Sequence, residues 1–391
     1  MIFFGTLADA GIRGVVQCRP NEILTHVGAA MTTDTSARQS TLGILSRLPV
    51  RRIVLIVLGV VIAVAAIAGA RATIASGQYS GEVWTDLFIQ GLARGSVYAL
   101  IALGYTLVYG ILLIINFAHG EVFMAGAFTT LFLAGYLSGT GFMASQPVLS
   151  LLIMLAFSAL VSMAVALLLE RIAYRPLRGA PRLVPLITAL GASLFLQYTF
   201  RGFYGEQVQA YPQIPSLAGD WTIAGIEIDR ARVVVIAAAI IIWSSLYLFI
   251  ERTKTGRAMR AVGEDREIAS LMGIDVDRTI VITFAIGGAL AGMAGILFIL
   301  LFNQVSFDMG FFPGLKAFTA AVLGGIGSIT GALLGGLVLG LVEAVGPILF
   351  LSGAGIPSVG QLTSVVSFSI LVLVLIFLPG GFLGAPEEKR A

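Results

Sequence analysis

The chain has 391 residues, of which 58% are hydrophobic and only 12% are charged. Soluble proteins carry about 25% charged residues, so this composition excludes a soluble globular fold. Several apolar runs reach the ~20 residues with which a helix crosses a bilayer. The sequence therefore predicts an all-α polytopic membrane protein with about eight or nine transmembrane helices. The net charge of +3 is small, and the basic residues cluster in a few loops, which favours topology signals over a nucleic-acid surface.

The first 84 residues stand apart from the rest of the chain. Residues 1–50 have a mixed composition without sustained periodicity and are predicted to form a disordered cytoplasmic tail. The apolar run 53–70 follows two arginines, as in a signal-anchor helix whose N-terminus stays inside. Because the run ends in Ala-Gly-Ala, which resembles a cleavage site, a removed signal peptide is the alternative. The polar linker 71–84 is expected to lie outside.

The membrane domain is predicted to cover 85–384, with a short tail at 385–391. Its spans are expected at 86–114, 122–137, 148–169, 183–200, 233–250, 280–301, 332–350 and 363–378. Arginine-rich loops at 170–182 and 251–278 indicate the cytoplasmic side. Prolines in the first of these loops predict that it is not helical. The polar loop 201–230 is expected outside.

A polar knot, INFAHGE, separates the first two spans of this domain. It carries an amide, an imidazole and a carboxylate, from Asn116, His119 and Glu121. Polar groups at membrane depth are costly unless they are paired or wetted, so these residues either line a permeation path or brace a break between helices. Small residues recur along the preceding span, as in helices whose backbones approach closely.

The segment 251–279 is the most charged part of the molecule, and it also has an apolar face. Two short amphipathic helices are predicted at 257–262 and 264–272, separated by Gly263 and ended by Gly273. An apolar face on a short cytoplasmic helix has to pack on something. A second protein subunit is the natural partner.

A glycine-rich segment at 314–331 is too short to be a comfortable span. It predicts a re-entrant or broken helix that is buried in protein. Whether this segment crosses the membrane decides whether the total number of crossings is even or odd. Lys316 lies at its mouth. This lysine could meet a substrate carboxylate or pair with Asp308 or Glu343.

Several kinds of chemistry lack their motifs in the sequence. The run GGIGSITG has no lysine before its serine or threonine, so a phosphate-binding loop is excluded. The two histidines lie in unrelated segments, and the single cysteine, Cys18, excludes a disulfide framework and a thiolate metal cluster. We therefore expect no catalytic residue, metal or cofactor on this chain. A passive channel, a secondary carrier and the membrane subunit of a pump remain, and a carrier would need an intramembrane carboxylate such as Glu121 or Glu343.

Four motifs occur in order along the chain. They are GxxYALxALGYTLVYGxxxxINFAHGE, ERIAYRPLRGAPR, GRAMRAVGEDREIASLMGIDVDR and KAFTAAVLGGIGSITG. Together they resemble the LivH-like permeases, the inner-membrane subunits of ABC importers for branched-chain amino acids, over about residues 87–388. INFAHGE and YRPLR favour this family over the related urea and short-amide permeases, which stay open as an alternative beside an ion-coupled amino acid carrier.

The resemblance implies a multi-pass protein of a bacterial inner membrane that forms half of a pathway for leucine, isoleucine or valine. It also implies a LivM-like sister permease, two ATPase subunits that hold ATP and magnesium, a periplasmic or tethered binding protein, surrounding membrane lipid, and no nucleic acid. ATP hydrolysis would take place on the partners. We expect ATPase coupling to involve Arg257, Arg260, Glu264, Asp265, Ala269 and Gly273, of which the last four match the family's pattern.

Overall fold

The structure, a computed structural model, describes residues 50–181, 183–223, 226–354, 356, 359–378 and 380–383. The predictions for residues 1–49, including Cys18, and for the tail at 385–391 lie outside these residues. The chain divides into a first unit that ends at Ala66 and a second that begins at Ile67. Helix α1 (Val50–Ala75) contributes to both units, so the apolar run predicted at 53–70 is helical.

Helices, most of them long and apolar, make up most of the second unit. In chain order they are α2 (Gly81–Leu112), α3 (His119–Gly139), α4 (Phe142–Ser145), α5 (Pro147–Leu169), α6 (Leu183–Tyr204), α7 (Arg230–Arg252), α8 (Lys254–Glu264), α9 (Arg266–Leu271), α10 (Val276–Phe302), α11 (Phe311–Gly324), α12 (Ile329–Gly346) and α13 (Thr363–Phe377). With α1, nine helices in the described part of the chain are long and apolar enough to cross a membrane. This confirms the predicted all-α polytopic fold.

Two small antiparallel strand pairs, which the sequence did not predict, lie in the connections on one face. Strand β2 (Asp220–Ile223) pairs with β3 (Ile226–Asp229) within the loop that follows α6. In the same loop β1 (Gln209–Ala210) pairs with β4 (Gln304–Val305), which follows α10. The β1–β4 pair therefore brings both loops to the face that topology predicts to be outside.

The chain stays helical beyond α5. A π-helical turn (Glu170–Tyr174) and a 3-10 turn (Arg175–Leu177) continue from it, so the prediction that prolines keep this loop from being helical is wrong for 170–177. Pro176 lies in the first turn of the 3-10 helix. At that position the missing N–H of proline has no helical acceptor to lose.

Ion pairs join the two arginine-rich segments on the predicted cytoplasmic face. Arg178 pairs with Glu170, which is buried, and with Asp277 at the start of α10. Arg175 also approaches Asp277, at 3.5 Å. The two segments that the positive-inside pattern assigned to the cytoplasm therefore do lie on one face.

Helix α2 forms the centre of the packing and is buried over most of its length. Its small residues contact α12 directly: a Cβ added at Gly336 would lie 2.5 Å from the Cα of Ala99, and one at Gly340 would lie 2.3 Å from the Cα of Gly95. Glycine is needed at both places because the two backbones touch. This confirms the close helix approach predicted from the small residues of that span.

The break between the two short cytoplasmic helices lies at Asp265. Its carboxylate accepts hydrogen bonds from the backbone N–H groups of Glu267 and Ile268, at 2.8 and 2.9 Å, and so caps α9. The prediction that Gly263 separates these helices is wrong, because Gly263 lies within α8. Its lack of a side chain instead permits contact with Gly110, whose carbonyl oxygen would lie 2.9 Å from an added Cβ.

The glycine-rich segment is a broken helix, which is one of the two forms, re-entrant or broken, predicted from the sequence. Helix α11 has only 14 residues, about 21 Å at 1.5 Å per residue, which is short of the ~30 Å hydrocarbon core. The turn at 325–328 separates it from α12. Backbone N–H groups of Phe382 and Leu383 donate to the carbonyls of Leu323 and Gly324, which satisfies the end of the short helix.

Candidate functional site

The polar knot lies deep in the helix bundle. The ring of His119, the first residue of α3, faces Gly104, where an added Cβ would lie 2.2 Å from the imidazole Nε2. Gly104 is eight residues before the end of α2 at Leu112, about 12 Å along that helix. The chain therefore turns back into the membrane after α2, and α3 begins well inside the bundle.

Asn116 braces this break. Its buried side-chain oxygen accepts a hydrogen bond of 2.6 Å from the hydroxyl of Tyr174, which lies in the π-helical turn after α5. The backbone carbonyl of Asn116 also accepts from the N–H of His119, at 3.1 Å. Two of the four sequence motifs, INFAHGE and YRPLR, thus meet in one hydrogen bond.

His119 is almost fully buried and packs against an aromatic ring. Its imidazole meets the ring of Tyr105 edge to face, with centroids 4.8 Å apart. Among the described residues its Nε2 has no hydrogen-bond partner. Most buried polar atoms in proteins have a hydrogen-bond partner, so this nitrogen marks the break as a candidate contact point for water or a ligand.

Glu121 lies at the same break, in the first turn of α3, where a carboxylate suits the helix dipole. It is fully buried. One of its oxygens, Oε1, accepts hydrogen bonds from Ser193 at 3.2 Å and from Gln197 at 2.6 Å, both on α6. The other, Oε2, has no partner in the described part of the chain.

The start of α11 meets the start of α3 at this depth. An added Cβ at Gly310 would lie 2.4 Å from the carbonyl oxygen of Gly120, and one at Gly314 would lie 3.0 Å from the Cα of Gly120. Two helices therefore begin side by side inside the bundle. Their N-terminal N–H groups and dipoles converge on the knot.

Lys316 does not join the knot but forms a second polar cluster. Its ammonium group lies 2.8 Å from Glu343 Oε1 on α12, and both side chains are buried. Glu343 also accepts from the hydroxyls of Tyr98 and Ser367, each at 3.1 Å. Of the roles left open for Lys316, the structure therefore selects pairing with Glu343.

An open cavity of about 400 Å³ lies beside this cluster, towards the outer loops. Charged side chains of both signs line it, as do the rings of three phenylalanines. The charged residues are Arg94, Asp308, Lys316 and Glu343, and the phenylalanines are Phe298, Phe302 and Phe312. The guanidinium of Arg94 lies 5.5 Å from the centroid of the Phe302 ring.

A second cavity, of about 270 Å³, lies between α2 and α8 near the cytoplasmic face. Thr106 and Gly110 line it from α2, and Arg260 and Glu264 line it from α8. Arg260 also forms an ion pair with Glu251, at 2.6 Å. Two of the residues predicted for ATPase coupling therefore face a cavity in the bundle.

The other predicted coupling residues have separate places. Arg257 is exposed on α8, and Asp265 caps α9. Ala269 is the buried residue of α9. Gly273 follows the end of that helix with φ of 82°, a left-handed conformation that favours glycine. The structure brings these residues onto one short segment, but they do not form a single cluster.

Arg266, which was not among the predicted coupling residues, attaches this segment to α2. Its guanidinium donates to the backbone carbonyl of Ile111 through both Nε, at 3.1 Å, and Nη2, at 2.5 Å. Burial lowers the pKa of Arg266, and the nearby charge of Arg178 lowers it further. The carboxyl end of the central helix, whose last carbonyls lack helical partners, is thus held by the cytoplasmic segment.

Two further polar contacts were also missed from sequence. Tyr174 lies in the YRPLR motif and Gln197 is a single polar residue in an apolar helical pattern, but nothing in the sequence assigns either of them a partner. The polar role of Tyr98 does have a signal in the sequence. Tyr98 follows Arg94 by four residues, so the two polar side chains share a face of α2.

The chain is similar to known membrane proteins over most of its length. Residues 87–375 match the family described as branched-chain amino acid transport system, permease component. The chain is 43% identical over 305 residues to the high-affinity branched-chain amino acid transport system permease protein BraD of Pseudomonas aeruginosa, an alignment that covers 77% of this chain and 96% of BraD. It is 42% identical over 307 residues to the corresponding protein LivH of Escherichia coli, covering 77% and 95%.

The family match covers the part of the chain that carries the four motifs, and together with the two relatives it confirms the resemblance drawn from them. They also agree with a multi-pass protein of the bacterial inner membrane whose role is transport. The urea and short-amide alternative is not supported. The chain belongs to the family of permease components of branched-chain amino acid transport systems.

Proposed function

We propose that this chain is the membrane subunit of an ATP-driven importer for leucine, isoleucine and valine, and that it forms half of the translocation pathway. The substrate class rests on the similarity to BraD and LivH, whose names give branched-chain amino acids as their cargo. In this proposal a LivM-like sister permease supplies the other half. Two ATPase subunits bind inside, and a periplasmic or tethered binding protein delivers the amino acid.

The observation that carries the transport mechanism is the pair of cavities on α2. The outer cavity contains Tyr98 and the inner one contains Thr106, eight residues or about 12 Å apart on the helix. The residues between them, 99–105, are buried. A helix that lines a cavity on either side of a closed section suits alternating access, in which one side opens as the other closes.

The polar knot provides a place where such a closed section can rearrange. His119 and Glu121 each keep one buried atom that has no partner among the residues the structure describes, and α3 and α11 both begin there. Broken helices around a midplane site are characteristic of transporters. We assign Asn116 to bracing the break through Tyr174, and His119 and Glu121 to the pathway side of it.

Coupling to the ATPases would run through the apolar patch on α9. Leu271 and Met272 are 85% and 77% exposed, and Ile268 beside them is 59% exposed. Such a patch on the cytoplasmic face needs a partner. We propose that it docks on an ATPase subunit and that Arg266 passes the movement to the carboxyl end of α2.

Changing Leu271 and Met272 together to aspartate is expected to abolish both leucine uptake and co-purification of the ATPase, because two charges cannot enter an apolar contact without large desolvation cost. Ser270→Asp on the same helix is the matched control, since it adds a charge beside the patch and leaves the patch apolar. If the double variant retains the ATPase at the normal level, the patch faces lipid instead.

Replacing Arg266 with glutamine is expected to uncouple the transporter. The change removes a charge-assisted bond to α2 worth about 1.5–3 kcal/mol, so ATP hydrolysis by the assembled complex should continue while leucine uptake falls about tenfold. Arg278→Gln is the control, because Arg278 lies exposed at the start of α10. Parallel loss of hydrolysis and uptake would argue for a folding defect rather than for uncoupling.

The substrate is tested by uptake in bacteria that lack this gene, with and without the gene restored. Labelled leucine should enter only when the gene is present, and unlabelled isoleucine or valine should compete with it. Labelled urea serves as the comparison solute. Restoration of urea uptake alone would keep the ATP-driven architecture and overturn the amino acid assignment.

A further inference from the structure

Two unpaired charges of opposite sign line the outer cavity. Among the described residues no carboxylate lies within ion-pair distance of Arg94. Asp308 likewise has no cationic partner there and accepts one hydrogen bond of 2.7 Å, from Ser306. Lys316 and Glu343, which line the same cavity, neutralise each other. Within the part of the chain that the structure describes, the cavity thus offers one free cation and one free anion to a ligand.

The rest of the lining is apolar and aromatic. Phe298, Phe302 and Phe312 contribute their rings, and the Phe302 ring holds the Arg94 guanidinium above its face. A volume of about 400 Å³ falls within the range of small-molecule sites, which combine apolar walls with a few polar groups that orient the ligand. A cation–π contact also limits how far the guanidinium can move.

We propose that this cavity is a binding station for the free α-amino acid within the permease. Arg94 receives the substrate carboxylate, Asp308 receives its ammonium group, and the phenylalanines contact the aliphatic side chain. This rests on the proposed function for the substrate class and deepens it by naming the residues of this chain that touch the substrate. Guanidinium and carboxylate pair well in two-bond geometry, which favours Arg94 over a lysine for this role.

A zwitterion fits this lining better than a singly charged solute does. A carboxylic acid without an amino group would leave Asp308 unpaired, and an amine without a carboxylate would leave Arg94 unpaired. Asp308 is exposed and Arg94 is half-buried in the free chain. A ligand that fills the cavity takes water away from both, and a charge desolvated in this way without a partner is unfavourable. The station would therefore reject both kinds of molecule by the same principle.

The first test measures leucine uptake and ATP hydrolysis by the complete transporter reconstituted in lipid vesicles with its binding protein. Arg94→Gln and Asp308→Asn are each expected to lower uptake at saturating leucine about tenfold, the scale of one charge-assisted hydrogen bond, while hydrolysis continues. Arg94→Lys keeps the charge and should retain more uptake than Arg94→Gln.

Arg201→Gln is the matched control for Arg94. Arg201 also lies on the outer side and also has its guanidinium 5.5 Å from a phenylalanine ring, that of Phe307, but it does not line the cavity. Its uptake should be normal. If Arg94→Gln transports leucine as well as Arg201→Gln does, the station is wrong.

A second measurement tests the station without the Arg94 and Asp308 variants, and so applies even if those variants do not assemble. Thr363 lines the cavity, so Thr363→Cys in a Cys18→Ser background places a single thiol of this chain inside it. Leucine should slow maleimide labelling of that thiol severalfold in the assembled complex without binding protein, whereas isocaproate and isoamylamine should not. Equal labelling with and without leucine, or equal protection by all three compounds, overturns the proposal.

The two proposals fail in different ways. If the unaltered transporter does not take up leucine, the amino acid function is wrong, whatever the thiol labelling shows. If it does take up leucine but Arg94→Gln is normal and leucine gives no protection, the function stands and only the station is wrong.

Discussion

Replacing Gly340 with alanine is expected to destabilise the protein by about 3 kcal/mol, the upper part of the range for an overpacked contact. The added methyl group would lie 2.3 Å from both the N and the Cα of Gly95 and 2.5 Å from the carbonyl oxygen of Gly91. All three atoms are backbone of α2, so no side chain can rotate away. Helices α2 and α12 would have to separate.

The matched control is Gly135→Ala on α3, where an added Cβ meets no atom within 4 Å. There alanine removes only the helix cost of glycine, about 1 kcal/mol, so the variant should be as stable as the parent or more so. Thermal unfolding of the two purified variants in detergent compares them directly. Equal midpoints would mean that the α2–α12 contact tolerates separation and does not hold the bundle together.

Replacing Lys316 with methionine is expected to cost about 3–5 kcal/mol of stability, because removal of one partner leaves a buried charge uncompensated. Glu343 would keep its bonds from Tyr98 and Ser367, but neither donor carries a positive charge. Uptake should fall together with the amount of folded protein.

The double variant Lys316→Met with Glu343→Gln separates charge from structure. It removes both charges and keeps a side chain whose oxygen can accept from Tyr98 while its amide N–H donates to the Ser367 hydroxyl, so most of the stability should return. Unfolding midpoints of the single and double variants decide the matter. A double variant as unstable as the single one would show that Lys316 acts through its packing and not through its charge.

The outer cavity gives these two predictions a shared functional meaning. Tyr98, Lys316 and Glu343 line it, and the α2–α12 glycine contact joins the two helices that carry Tyr98 and Glu343. A change in either place should therefore affect the shape of the proposed amino acid station as well as stability.

The sequence alone determined the class of fold. Long apolar runs have one stable form in lipid, the helix, because every backbone polar group there must be satisfied within the chain. The same physical rule made the broken helix at 314–331 predictable, since a glycine-rich segment of that length cannot cross alone. Arginine-rich loops are local features too, and the Arg178–Asp277 contact agrees with their assignment to one face.

Helix boundaries within the loops were less certain, and two of those predictions were wrong. Gly263 looked like a helix breaker, yet it lies within α8 and serves a contact with Gly110. The segment 170–177 looked non-helical, yet it holds a π turn and a 3-10 turn. In both cases contacts with distant segments outweighed the local preference of one or two residues.

The polar residues of the candidate site were visible in the sequence, but their partners were not. Asn116, His119 and Glu121 stood out because polar side chains are rare between apolar spans. Their partners lie elsewhere in the chain: Tyr174 for Asn116, and Gln197 on α6 for Glu121. Tyr174 belongs to the YRPLR motif, but neither it nor Gln197 carries a local pattern that identifies its partner.

The sequence by itself therefore determined the features that depend on composition and local pattern. These are a helical membrane protein, its cytoplasmic loops, its family motifs and the polar knot. Tertiary structure alone decided which of these features meet. It paired Lys316 with Glu343, held the end of α2 with Arg266, and placed Arg94 and Asp308 around one cavity without an ion-pair partner among the described residues. The reason is physical, because periodicity and propensity act over a few residues, whereas charge pairing and cavity shape depend on helices that are far apart in the chain.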